Sequence, residues 1–287
     1  MTLNRRNFLE LSAAATTASM LPKAAAADDA QMSIALAARS NNTLDPVRTT
    51  QGADDWATMQ IFDFLVQPDP GTFAMRPEDF RPGLAESYES TPDAKTWAFK
   101  IRRGAKWHKN YGEVTPDDVM FTFDRARDPR IPNGQKPLYE NIAAITIEGD
   151  RVVFALKRPD PLFCGSAVYL NSSGIVPRKA VEERGEAFGK DPVGSGPYAF
   201  AGIDPVRGVM LRGHAGYWGG PPKTPILDIR YIIDTTARTL ALLSGQVDMI
   251  EAVRAPGWIQ SMQQRKRDLI FDSTNPGSTN SLHINLT

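Results

Sequence analysis

The side chains with the strongest claim to chemistry are three histidines, one serine between glycines, an aspartate pair and a single cysteine. His108, His214 and His283 stand far apart, and no two share the i, i+4 spacing that offers two imidazoles to one zinc ion. Gly194-Ser195-Gly196 opens like a dinucleotide-binding loop, but Pro197 follows and the third glycine is missing. Pro197 and Tyr198 instead predict a turn running into a strand, where no helix N-terminus waits for a phosphate. There is no nucleophile elbow, no phosphate-binding P-loop and no S-x-x-K with its usual partners. Asp117 and Asp118 are adjacent, so on a helix they point in different directions and suit capping better than shared acid–base work. Cys164 stands alone, which leaves no disulfide framework and no cysteine-built metal cluster. No catalytic set, metal or cofactor is expected, and the chain is not expected to be an enzyme.

Charge gives the same direction. Lys and Arg number 33 and so do Asp and Glu, which lacks the basic excess of a nucleic-acid platform. The start of the chain reads as an address. Asn4-Arg5-Arg6-Asn7-Phe8-Leu9 sets a twin arginine before a weakly apolar Ala- and Thr-rich run from Leu11 to Leu21, and Ala24 to Ala27 offers a small-residue cleavage site. Residues 1–27 are therefore expected to be a twin-arginine signal peptide, which places the mature chain in the periplasm. Nothing after it approaches the roughly twenty apolar residues of a membrane span.

The elements that must position any site alternate between strand and helix. Met32 to Ala38 reads as a first buried strand, and Asn41 to Pro46 as the loop leaving it. Asp54 to Phe64 predicts a helix with Trp56, Met59 and Phe62 to Phe64 available to its buried face. Trp97, Phe99 and Ile101 alternate with Lys100 and Arg102, the period of a half-buried strand. Thr115-Pro116-Asp117-Asp118 is the clearest helix start: a hydroxyl N-cap, a proline in the first turn and two carboxylates at the positive end of the dipole. Val119, Phe123 and Ala126 follow at helical spacing. Ile142 to Ile147 and Val152 to Leu156 flank Glu148-Gly149-Asp150 as a hairpin. Asp234 caps a helix from Thr235 to Ser244, and Val247 to Ile250 is a short strand after it.

Several blocks then carry a resemblance. Arg81-Pro82-Gly83-Leu84-Ala85-Glu86-Ser87-Tyr88 leads to Trp97-Ala98-Phe99-Lys100-Ile101-Arg102-Arg103-Gly104 and on to Thr115-Pro116-Asp117-Asp118-Val119. Pro192-Val193-Gly194-Ser195-Gly196-Pro197-Tyr198, Tyr217-Trp218-Gly219-Gly220 and Leu243-Ser244-Gly245-Gln246-Val247-Asp248 come after them. The ordered set resembles the family 5 bacterial extracellular solute-binding proteins, which include oligopeptide, dipeptide and nickel binders. His108-Lys109-Asn110-Tyr111-Gly112 is two residues longer than the family's usual turn. The motifs are read as scaffold: Gly194 and Gly196 for unusual backbone conformations, and Trp97, Phe99, Trp107, Tyr217 and Trp218 for packing.

The resemblance implies a mixed α/β scaffold of the periplasmic-binding-protein type II class, two lobes closing on a hinge, with residues 28–287 supplying mainly the first lobe and the second missing. It implies capture of a peptide or similar solute by a monomer, and delivery to the permease and ATPase subunits of an ABC importer. It also places ligand-facing positions after the first strand, in Arg48 to Trp56. There Arg48 suits a carboxylate, Asp54 or Asp55 an ammonium, and Trp56 an apolar wall. The same loop also reads as a solvated turn in which Asp54 caps the next helix. Asn171-Ser172-Ser173 is a second candidate cluster and Tyr139 a third. The rival functions are a ligand sensor or an exported chaperone on the same scaffold, or a non-functional truncated remnant.

Overall fold

The computed structural model describes residues 30–49, 52–72, 74–204, 208–253 and 255–272. The expected signal peptide, His283 and the C-terminal residues lie outside these. The unit described runs from Gln31 onward.

Two sheets organise it. In the first, β1 (Gln31–Leu36) runs parallel to both β10 (Ile226–Tyr231) and the short β11 (Met249–Ile250). β9 (Gly208–Gly213) and β8 (Tyr198–Asp204) extend it antiparallel, giving the order β11-β1-β10-β9-β8. Alternation along the strands sorts the two faces. Ile34, Leu36, Leu227, Ile229, Val209 and Leu211 enter the main core. Ala35, on the other face, joins a smaller core with Ala241 and Leu242 of α4 (Thr235–Leu243) and Met262 of α5 (Trp258–Arg265).

The second sheet is antiparallel, β4 (Ala85–Ser90), β5 (Thr96–Ile101), β7 (Arg151–Leu156), β6 (Ile142–Glu148). β5 behaves as its period predicts: Trp97, Phe99 and Ile101 are buried and their neighbours half-exposed. The β6–β7 hairpin turns at Gly149, whose φ of 65° is a left-handed conformation that glycine adopts without penalty. α2 (Pro116–Arg127) packs on this sheet, with Phe123 edge-on to Phe154 at 4.8 Å. Its start is a reciprocal capping box: the Thr115 hydroxyl accepts from the Asp118 N–H at 3.3 Å, and Asp118 accepts from the Thr115 N–H at 3.0 Å.

The reading of α1 needs correcting. The helix spans Gly52–Ile61 and buries Ala53, Asp54, Ala57, Thr58 and Ile61, while Trp56 and Met59 face solvent at 39% and 37% exposure. The pattern misleads because the buried stripe is built from small residues that let the helix sit close to its neighbours, so the large side chains are left outside. Phe62 and Phe64 are buried, but beyond the helix end. Gly194 and Gly196 are also there for a different reason than backbone conformation, since neither has positive φ. A Cβ on Gly194 would lie 2.0 Å from the Ile61 carbonyl oxygen, and one on Gly196 would lie 2.7 Å from that of Gln60. The turn is pressed against the end of α1, and the Gly196 N–H donates to the Ile61 carbonyl at 2.9 Å.

Candidate functional site

β1 and β10 are parallel, so their carboxyl ends open on the same side, the usual place for ligands in α/β sheets. The chain leaving β1 supplies Asn42 and Thr43, whose N–H groups donate to the Asp54 carboxylate at 2.8 and 3.5 Å. Asp54 is fully buried, and that burial raises its pKa against those two bonds. It therefore fastens the post-strand loop to the first turn of α1 from within, and it is not the helix N-cap. At the end of β10, Tyr231 lies within reach of the Asp54 charge, and its buried hydroxyl has no hydrogen-bond partner among the described residues.

Arg48 closes a 3-10 turn, Pro46–Arg48. Its guanidinium is engaged by Glu186 in a two-pronged ion pair, both bonds 2.9 Å, and lies 3.6 Å from Asp45. Asp45 in turn holds Arg125 through bonds of 3.1 and 2.7 Å. Asp55 faces differently. Burial raises its pKa, opposed by the Thr49 and Asn171 side chains, and its Oδ1 is shielded from solvent with no hydrogen-bond partner among the described residues.

The turn Asn171–Ser173 packs against Pro46–Arg48 and the start of α1, so Arg48, Asp54, Asp55, Trp56, Ser172 and Ser173 converge on one region. Tyr139 reaches it from behind. Its hydroxyl sits 2.6 Å from Ser172 Oγ and 2.7 Å from Ser173 Oγ. Ser172 also donates to Gln135 at 2.6 Å and Ser173 to the Ala167 carbonyl at 2.6 Å. All three residues are buried, and burial pushes the Tyr139 phenol up to about 12. Their polar groups are already joined in a closed network, so contact with a solute through them requires that network to open.

One polar centre escapes the sequence reading. Asp63 is 2% exposed in the link between α1 and β2 (Val66–Pro68), and it accepts from Trp218 Nε1 at 3.0 Å and the Tyr217 hydroxyl at 3.1 Å. Desolvation lifts its pKa to about 6, against those bonds and the nearby Arg102 charge. Arg102 lies over the Trp218 ring at 4.1 Å. The aromatic pair of Tyr217-Trp218-Gly219-Gly220 thus packs as expected, but its polar tips clamp a buried carboxylate. The signal was present: one aspartate inside the apolar run Ile61-Phe62-Asp63-Phe64-Leu65-Val66 must find donors if it is buried.

Nearby, His108 is buried and clasps the glycine turn. Its Nδ1 accepts from the Gly194 N–H at 3.3 Å and its Nε2–H donates to the Gly196 carbonyl at 2.9 Å. This geometry requires the neutral ring, and burial holds its pKa down at about 4. Among the described residues, no group of three or more His, Cys, Asp or Glu is placed to hold a metal ion.

Residues 79–287 match the family described as bacterial extracellular solute-binding proteins, family 5 Middle. The chain belongs to that family. The peptide transport periplasmic protein SapA of Salmonella typhimurium is 28% identical over 231 residues, covering 73% of this chain and 41% of SapA. The glutathione-binding protein GsiB of Shigella boydii is 32% identical, covering 80% of this chain and 43% of GsiB. Among solved structures, the binding protein MoaA of A. tumefacien R10, in complex with mannopinic acid, superposes with a TM-score of 0.76 at 33% identity. That likeness covers 81% of this chain and 47% of MoaA. The peptide-bound DppA of Helicobacter pylori shares the fold with a TM-score of 0.71 at 24% identity. The fold of this family 5 chain is that of type II periplasmic binding proteins, and the chain spans less than half the length of these relatives.

Proposed function

We propose that this chain is the first-lobe part of an exported solute-binding protein that captures a peptide or peptide-like solute and delivers it to an ABC permease and its ATPase. The observation that carries the proposal is the packing of Asn171–Ser173 against Pro46–Arg48 and α1, with Asp54 tying α1 to the loop that leaves β1. A family 5 relative, SapA, carries peptide transport in its name, and DppA holds a peptide in its structure. Arg48, Asp55 and Trp56 form the front of the proposed site, with Asp54, Tyr139, Ser172 and Ser173 holding it from behind. The protein binds without converting its solute, and closure of a second lobe on a hinge completes the enclosure. Export through the twin-arginine leader to the periplasm belongs to the same proposal. No helix among the described residues is long and apolar enough to cross a membrane.

The test is a fluorescence titration of the chain with di- and tripeptides. Trp56 is exposed and stands on the proposed wall, so a bound peptide changes its emission. A saturable change that disappears in Trp56→Phe supports the reading. Saturable binding that leaves Trp56 emission untouched places the solute elsewhere, and no binding of any peptide removes the peptide class.

A further inference from the structure

The antiparallel sheet ends in two edges that are guarded differently. β4 carries Glu86 and Glu89, each held by a cation of the same sheet, Lys100 and Arg151. Charges fixed on an edge discourage the approach of a further strand. β6 is the opposite edge, and no strand lies beyond it among the described residues. Its sequence, Ile142-Ala143-Ala144-Ile145-Thr146-Ile147-Glu148, has no lysine and no proline, and its one charge stands at the end. Ala143, Ala144, Thr146, Ile147 and Glu148 are exposed.

The hairpin decides which backbone groups of this edge are free. Glu148 and Arg151 close a two-residue turn, so they exchange both hydrogen bonds, as Thr146 and Val153 do one step further on. Ile145 and Ile147 alternate with them and turn their N–H and C=O groups outward. Ala143 is bulged out of register, which leaves these two as the regular outward positions. Their side chains lie on the core face of the sheet, opposite the buried Phe154 and Val152.

We propose that β6 pairs with β6 of a second copy of this chain, antiparallel about a two-fold axis at Thr146, so that one sheet runs through both copies. In that register Ile145 faces Ile147 of the second copy, and each such pair exchanges backbone bonds between outward groups. A displacement by one residue would set outward groups against inward ones. The isoleucines of both copies form one apolar strip on the core face, and Thr146 meets its own counterpart across the axis. Charge favours the same arrangement. Glu148 is exposed and makes no ion pair among the described residues. Antiparallel pairing carries it toward the start of the other β6, where Arg127, Arg130, Lys136 and Lys157 line a cleft beside Ile142. Asp124 and Asp128 pair with the two arginines there, while Lys136 and Lys157 outnumber Glu140. The assembly is a dimer where the family resemblance implies a monomer, and it does not depend on which solute is bound.

The experiment uses the whole chain and three variants, Thr146→Lys, Thr146→Cys and Glu148→Cys. Sedimentation velocity of the parent should show a dimer at about 100 μM. Thr146→Lys sets like charges face to face on the axis and should sediment as a monomer, with its urea midpoint unchanged because position 146 is exposed. A parent that is monomeric at that concentration overturns the proposal, as does a Thr146→Lys chain that stays dimeric. Cross-linking with diamide then reads the register. At the axis the two copies of residue 146 form a non-hydrogen-bonded pair, close enough for a disulfide. Thr146→Cys should therefore give covalent dimer at least about tenfold faster than Glu148→Cys, whose counterpart in this register is Ala144. The native Cys164 is buried and does not compete. Equal rates for the two cysteine variants show that the copies meet through another surface, and overturn the proposal.

Discussion

Replacing Asp63 by asparagine should change the shape of the stability–pH curve more than its height. In the native chain Asp63 titrates near 6 instead of 3.8, chiefly because it is desolvated. Between those values the folded state holds a proton that the unfolded state has released, so Asp63 makes stability fall as pH rises through the window. At about 1.4 kcal/mol per tenfold change in proton affinity, the total is about 3 kcal/mol. His108 works in the opposite sense. Its pKa is near 4 instead of 6.5, again mainly through burial, so below 6.5 the unfolded state takes up a proton that the folded state refuses. Stability is complete above 6.5 and falls as pH drops towards 4, also by about 3 kcal/mol. The two slopes overlap and nearly cancel between pH 4 and 6. Asparagine keeps one acceptor oxygen for Trp218 Nε1 and no longer titrates, so Asp63→Asn leaves the His108 slope uncovered. Urea denaturation at pH 4.5, 5.5 and 6.5 should show the variant gaining about 2 kcal/mol over the parent as pH rises. Asp54, Asp55 and His214 are also shifted, but their contributions are common to both chains and drop out of the difference. Parallel curves for parent and variant would falsify the assignment of a titrating carboxylate to Asp63.

Other outcomes follow from individual contacts. Gly194→Ala puts a methyl group 2.0 Å from the Ile61 carbonyl, so thermal denaturation should register a loss of about 3 kcal/mol or more. Thr115→Ala removes the hydroxyl of the α2 capping box and should cost about 1 kcal/mol in the same assay, with Thr115→Ser restoring most of it. Tyr139→Phe strips the donor from the buried pair Ser172 and Ser173 and is expected to cost about 1–3 kcal/mol, read from the urea midpoint. Trp56→Ala should stay within about 1 kcal/mol of the parent in stability because its ring is largely outside the core, yet weaken peptide binding in calorimetry.

Local chemistry was legible wherever a short stretch decides the outcome. Thr115 to Asp118 carries its own cap, and Trp97, Phe99 and Ile101 declare the buried face of β5 without help from elsewhere. The β6–β7 hairpin announces itself through Gly149. What failed depends on distant partners. The buried stripe of α1 is chosen by what packs on it, so Ala53, Ala57 and Ile61 go inside and Trp56 stays out. Gly194 is glycine because of Ile61, a residue more than a hundred positions earlier, and no local pattern contains that fact. The same holds for the site. Arg48 and Asp55 were both readable as charged loop residues, but only the positions of Glu186, Thr49 and Asn171 show that both are already engaged within the fold.

The parallel pairing of β1 also has a consequence for the order in which the chain is made. Gln31 bonds to Asp228, 197 residues away, and the Ser33 N–H bonds to Asp248, 215 residues away. The first strand to leave the ribosome therefore waits for nearly everything else before it has a neighbour on either side. Meanwhile β4 to β7, whose partners all fall between Ala85 and Leu156, have what they need to assemble early. Folding of this unit should be two-phased, with a fast antiparallel sheet and a slow closure around β1. During the interval Ile34 and Leu36 are exposed and open to a chaperone or to another chain.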